Sequence, residues 1–204
     1  MASSLDLPAT AFTLTGGCFC KSIRYAISVP ALEARPRHER PAKNSSGELS
    51  ESLQRWPVVS FDHCNSCRKI AAAIVQPWLI FPTSWASWTL VSKAPGEEAI
   101  KPTTIEVLKP SEHLKAKTHV SYFSSSEEVN RIFCGKCGTG LTFFCDGEDP
   151  QKPSYGTVFD IALGSLDDEC LKIPGMRPRR QSWVGSGISW VKNLLANGDK
   201  AFSA

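Results

Sequence analysis

No long hydrophobic run interrupts this chain of 204 residues. Its longest apolar stretch, 71–81, is broken by Gln76 and Pro77. That is well short of the ~20 apolar residues a bilayer-spanning helix needs. The opening residues, Met1-Ala-Ser-Ser-Leu-Asp-Leu-Pro8, have neither the basic start nor the apolar core of a secretory signal. Basic and acidic residues are nearly balanced, 23 against 20. The net charge is +3, and no basic stripe interleaved with aromatics accompanies it, so nothing argues for nucleic acid. The densest basic cluster, Arg177-Pro-Arg-Arg180, reads as a solvated turn. These absences lead us to expect a cytoplasmic, soluble protein with neither a membrane segment nor a nucleic-acid partner. With 42% hydrophobic and 21% charged residues the chain has an ordinary globular composition, enough for one domain with a real core.

What the chain does have is eight cysteines. Cys18-Phe-Cys20 lies near the start and Cys134-Gly-Lys-Cys137 far downstream. In a reducing compartment such spacings read as metal ligands rather than disulfides. Redox CxxC chemistry is the alternative, but no βαβ pattern surrounds either CxxC. Together the two pairs supply four thiolates, the complement of a closed tetrahedral zinc site. Gly135 and Gly138 give the second pair a backbone free to turn its N–H groups toward the sulfurs. Lys21 and Lys136 are placed to offset the excess negative charge.

Between these pairs lies Asp62-His-Cys-Asn-Ser-Cys67, one ligand short of a closed cysteine site. Asp62 precedes Cys64 by two, repeating the CxC spacing with a carboxylate in place of a thiolate. Asp62, Cys64 and Cys67 are therefore the candidate ligands of a second zinc with an open position; the alternative role for Asp62 is a cap on the turn ahead of the short helix. His63 is the competing ligand, although in an extended strand it points away from Asp62 and Cys64. Cys145 and Cys170 belong to no cluster and read as buried thiols.

Strand signals dominate the rest. Ile23, Tyr25, Ile27 and Val29 alternate with Arg24, Ala26 and Ser28. Further strands are expected at 58–61, 74–81, 87–91, 103–108, 118–123, 130–133, 140–144 and 157–163. A short helix is expected over 67–73, and a terminal one over 188–196 with Trp190 on its buried side. Residues 31–55 are polar and turn-rich, a surface insertion. The expected fold is mainly β, a small zinc-stapled sandwich or tent-like arrangement with short helices.

Three ordered motifs, Gly16-Gly-Cys-Phe-Cys-Lys-Ser-Ile-Arg-Tyr25, His63-Cys-Asn-Ser-Cys-Arg68 and Arg131-Ile-Phe-Cys-Gly-Lys-Cys-Gly-Thr139, resemble the glutathione-dependent formaldehyde-activating enzyme and centromere protein V family. Tyr122-Phe-Ser-Ser-Ser126, Trp183 and Trp190 extend the likeness, which spans about 12–195 and leaves 1–11 and 196–204 as tails. The resemblance implies a structural zinc at Cys18, Cys20, Cys134 and Cys137, a second zinc at the middle cluster, and glutathione addition to formaldehyde, a carbon–sulfur lyase chemistry. The chain departs from the family where Asp62 stands for the first cysteine of CxCxxC, and where Ala71 or Ala72 replaces a glycine. A harder ligand leaves a more Lewis-acidic metal.

The function expected is thus a zinc-dependent carbon–sulfur lyase or thiol-addition enzyme acting on a small electrophile or a glutathione adduct. Asp62, Cys64, Cys67 and Arg68 form its catalytic set. Arg24, Arg68 and Arg131 are candidates for holding substrate carboxylates. Two alternatives stand beside it. One is Lewis-acid dehydration or cyclisation of a specialised metabolite, with Trp78, Trp85, Trp88, Trp183 and Trp190 as candidate pocket walls. The other is a zinc-stabilised binding module without catalysis.

Overall fold

The computed structural model describes residues 6–38, 51–147 and 157–201. β1 (Phe12–Gly17), β2 (Ile23–Val29) and β5 (Ala86–Leu90) form one antiparallel sheet in the order β1-β2-β5. The second sheet has seven strands. It uses β3 (Val58–Asp62), β4 (Gln76–Pro82), β6 (Val120–Ser126), β7 (Val129–Cys134), β8 (Gly140–Cys145), β9 (Val158–Ala162) and β10 (Arg180–Ser182). Its order is β10-β3-β4-β9-β8-β7-β6, antiparallel except where β10 runs parallel to β3. Five helices are described: α1 (Asn65–Ala71), α2 (Thr104–Leu108), α3 (Glu112–Lys117), α4 (Asp168–Leu171) and α5 (Ser189–Ala201). No helix among the described residues is long and apolar enough to cross a membrane. The fold is mainly β, as the alternating patterns imply.

The core forms where the small sheet meets one face of the large one. Ile23, Tyr25, Ile27 and Val29 of β2 point inward, as their period of two requires. They belong to one buried cluster with Leu79 and Phe81 of β4, Ile132 of β7, Phe144 of β8 and Phe159 and Ile161 of β9. Trp88 of β5 meets Phe159 across the sheets at 6.3 Å between ring centroids. Burying each large apolar side chain contributes about 1.5–3 kcal/mol, so this interface is the main apolar contribution to the stability of the domain. Alternation then sends the other residues of the large sheet to its opposite face, and there the pocket forms.

Two expectations need correction. Residues 103–108 form α2, not a strand: Thr103 accepts from the Glu106 N–H, and the Glu106 carboxylate accepts from the Thr103 N–H, a complete capping box. The β-branched residues that suggested a strand instead give the helix its buried Thr104 and Val107. Trp190 is 57% exposed, because α5 turns Val191 to the core instead. β1, β10 and α3 arise in segments whose patterns had signalled no element.

The feet of the 31–55 insertion are tied to the domain, and 39–50 lie outside the described residues. Arg35 is fully buried and donates to the carbonyls of Pro8, Thr10 and Pro30, so the segment just before β1 is held as well. Arg37 and Arg55 form a β-bridge beneath the insertion.

Asp167 pairs with Arg24, whose Nη1 donates at 2.9 Å, and accepts from the Thr15 hydroxyl, joining α4's start to β1 and β2. The Arg24 and Thr15 hydrogen bonds hold the Asp167 carboxyl below its ordinary value. A depressed carboxylate contributes stability above its unfolded value of about 3.9 and loses it as pH falls through the lower folded value. Both side chains are more than one-third exposed, so Asp167→Asn is expected to cost only about 0.5–1 kcal/mol. Melting curves of parent and variant should keep a constant gap from pH 7 to pH 5 and converge only below about pH 4. A gap already closed at pH 5 would contradict the pairing.

Candidate metal centre

The four cysteines at 18, 20, 134 and 137 come together at the junction of the two sheets. Cys18 and Cys20 occupy the turn between β1 and β2; Cys134 ends β7, and Cys137 lies in the turn to β8. All four sulfurs lie within 4.8 Å of one another. Cys18 Sγ is 3.5 Å from Cys20 Sγ, and Cys20 Sγ is 3.7 Å from Cys134 Sγ. Four thiolates each about 2.3 Å from a tetrahedral zinc stand roughly 3.8 Å apart. The donor set therefore fits zinc in chemistry, number and spacing.

The local backbone supports that fit. The Ile23 N–H donates to Cys18 Sγ at 3.3 Å. Gly138, with φ +78°, takes the left-handed conformation that closes the Cys134–Cys137 turn, and its N–H donates to the Cys134 carbonyl. The thiols divide in their acidity. Burial pushes Cys134 up to about 12. For Cys137 burial acts in the same direction, but hydrogen bonds with Thr139 and Cys20 together outweigh it and hold the thiol down to about 6. Lys21 sits beside this cluster at φ +61°.

The second group is Asp62, Cys64 and Cys67, again with ligand atoms within 4.8 Å of one another. Asp62 is the last residue of β3, held between Gln76 of β4 and Ser182 of β10. The chain then turns into α1, with Cys64 at its N-cap and Cys67 in its first turn. Asp62 Oδ1 accepts the Cys64 N–H at 2.8 Å. The carboxylate thus caps the turn with one oxygen, and its side chain also lies within reach of the Cys67 thiol, where it could serve as a ligand. Capping and ligation, posed as alternatives on sequence grounds, are compatible here. Burial pushes the Cys67 thiol up to about 12, against a smaller opposing pull from Arg131. Two thiols and a carboxylate, one residue short of a closed set, suit a borderline-soft ion such as zinc with one position open.

His63 is outside this group. It is buried, its Nε2 lies 2.8 Å from Gln181 Oε1 on β10, and its ring packs against Gly187. Extended geometry at the end of β3 turns it away from Asp62, as its position in the strand required.

Asp62, Cys64 and Cys67 line a pocket of about 510 Å³ on the outer face of the large sheet. One row of register partners forms much of its floor: Ile80 on β4 pairs with Asp160 on β9, Asp160 with Phe143 on β8, and Phe143 with Arg131 on β7. Trp56 and Trp183 add aromatic walls. Trp183 is 67% exposed and holds a left-handed backbone, φ +57°, rare for a bulky side chain.

The remaining sequence candidates are distributed as follows. Arg131 lines the pocket, Arg24 is committed to Asp167, and Arg68 stands on α1 outside the pocket lining with its Nε buried and unpartnered. Trp78 and Trp88 are core residues, and Trp85 borders an open groove beside β1 and β2. Of the five tryptophans proposed as walls, Trp183 alone lines the pocket. Cys145 is buried and joins the pocket wall; Cys170 is buried and accepts the Thr15 N–H at 3.2 Å. Trp56, Phe143 and Asp160 were not singled out from the sequence. The alternation of β8 and its pairing with β7 was the one signal available for Phe143.

Comparison with protein-family models and with curated proteins finds no match to the chain.

Proposed function

We propose that this chain is a zinc-dependent enzyme of carbon–sulfur lyase or thiol-addition type, acting at Asp62, Cys64 and Cys67 on a small electrophile or a glutathione adduct. One observation carries the reading: an incomplete ligand set opens into a pocket, while a complete four-thiolate set lies elsewhere between the sheets. The likeness of the three cysteine-bearing motifs to the glutathione-dependent formaldehyde-activating and centromere protein V family supports the same reading.

A zinc ion bound by three protein ligands supplies Lewis acidity at its open position, favouring the thiolate form of a thiol or polarising a carbonyl. The net reaction is balanced without a further reactant. The thiol sulfur bonds to the aldehyde carbon, the carbonyl π electrons pass to oxygen, and the thiol proton ends on that oxygen. The reverse breaks the carbon–sulfur bond. The chain's own residues contribute position and enclosure. The Cys64 N–H fixes the Asp62 carboxylate. Phe143, Trp56 and Trp183 displace water from the body of the substrate. Arg131 supplies a positive charge beside Cys67, with Nη2 at 3.5 Å from its sulfur.

A second reading, Lewis-acid dehydration or cyclisation without a thiol, is favoured by the carboxylate ligand and the aromatic walls. Exchange spectroscopy separates the two. With zinc-loaded protein, glutathione and formaldehyde, we expect magnetisation exchange between free glutathione and its hydroxymethyl adduct to accelerate at least about tenfold, a barrier reduction of about 1.4 kcal/mol. No acceleration for formaldehyde or for any other aldehyde tried, with both zincs bound, would contradict the thiol-addition reading and leave the second.

A further inference from the structure

We propose that the pocket selects a planar organic acid and that Arg131 binds its carboxylate. This rests on the reading of the pocket as the substrate site and adds the class of substrate.

Arg131 lies on β7 between β6 and β8 and is only 5% exposed. A guanidinium is always charged, and a buried charge without a counter-charge is costly. Among the described residues no carboxylate pairs with it. Its Nε donates to Ser125 Oγ at 3.1 Å, its Nη2 meets Cys67 Sγ at 3.5 Å, and its central carbon lies 4.8 Å from the Phe143 ring centroid. These contacts fix the plane of the group and use two of its five N–H donors, leaving three. Arg35, buried as deeply, shows the contrast: its donors are taken up by backbone carbonyls of Pro8, Thr10 and Pro30.

The competing account makes Arg131 a counter-charge for the Asp62–Cys64–Cys67 group alone. That role engages a single N–H at the sulfur and leaves Nη1 without an acceptor. A fork of N–H groups on a pocket wall is the geometry that binds a carboxylate through two parallel hydrogen bonds. Flatness follows from the neighbours. Phe143 lies under the guanidinium, and Trp56 and Trp183 line the same cavity. Aromatic walls favour a ring or conjugated system over a flexible chain.

Cinnamate is a suitable probe, with cinnamamide as its neutral shape-match and hexanoate as a flexible acid. Calorimetric titration of the zinc-loaded protein is expected to show cinnamate binding at least about tenfold tighter than either comparison compound. Arg131→Gln should erase the preference over cinnamamide, and Arg131→Lys should retain part of it, since a point charge replaces the fork. Melting curves and zinc content of both variants separate loss of binding from loss of fold. If Arg131→Gln does not fold, the Arg131→Lys result decides. Asp62→Ala separates the arginine from the metal: it removes a carboxylate together with the zinc that carboxylate helps to hold, and a cinnamate held by the Arg131 fork should keep its preference over cinnamamide there. Binding that is lost in Asp62→Ala and kept in Arg131→Gln would place the carboxylate on the metal and overturn the proposal. A parent that binds all three probes alike would overturn it too. The metal reading fails on a different result, an unchanged zinc content in Asp62→Ala, so the two are told apart.

Discussion

Replacing Cys134 by serine is expected to unfold the domain rather than to weaken it locally. Cys134 is fully buried at the end of β7, in the large sheet, and its sulfur lies 3.7 Å from that of Cys20, in the turn of the small sheet. An ion held by the four thiolates would cross-link segments more than a hundred residues apart, joining the two sheets whose contact forms the core. Structural zinc contributes on the order of 10 kcal/mol of apparent binding free energy, comparable to the entire net stability of about 5–15 kcal/mol typical of a domain. Removing one thiolate weakens the site, and the serine hydroxyl left in its place is a buried polar group without an equivalent partner. Circular dichroism should show loss of cooperative melting in Cys134→Ser, and exhaustive chelation of the parent should reproduce it. Normal thermal stability in the variant would show that the sheets hold together without the ion.

Asp62→Ala is expected to have the opposite profile, with a large loss of function and little loss of fold. Asp62 belongs to the pocket, not to the core between the sheets. Its removal leaves the Cys64 N–H without its acceptor, a cost of about 1 kcal/mol at the turn into α1. Two thiolates remain at the site, too few to hold zinc tightly. Turnover should fall by about a hundredfold or more if the ion supplies the chemistry, while the melting temperature shifts by only a few degrees. The open site should also lose its metal first under mild chelation, since its one carboxylate and two thiolates carry less negative charge than four thiolates.

The contrast between the two sites reflects what a sequence can and cannot carry. Cys18, Cys20, Cys134 and Cys137 announce themselves because ligand spacing within each pair is local. β2 is legible for the same reason: its inward residues alternate without interruption. α2 is misleading, since Thr103 to Leu108 is rich in β-branched residues, and the Thr103–Glu106 capping box decides the outcome over propensity. β10 has only three residues, Arg180–Ser182, and owes its strand to the exposed edge of β3. The pocket is hardest to foresee. Ile80, Asp160, Phe143 and Arg131 are far apart in sequence and meet only through the register of four strands. Trp56 and Trp183 reach the same cavity from segments with no periodic pattern.

The central claim is that the chain holds two metal ions in unequal sites, and metal analysis of purified parent and Asp62→Ala protein tests it most directly. The account predicts about two zinc ions per parent chain and one in the variant, with the remaining ion resistant to mild chelation. Two ions in both proteins would reduce Asp62 to a turn cap and give the second site another ligand. One ion in both, with any activity unchanged, would contradict the open site itself and leave a zinc-stabilised binding module in its place.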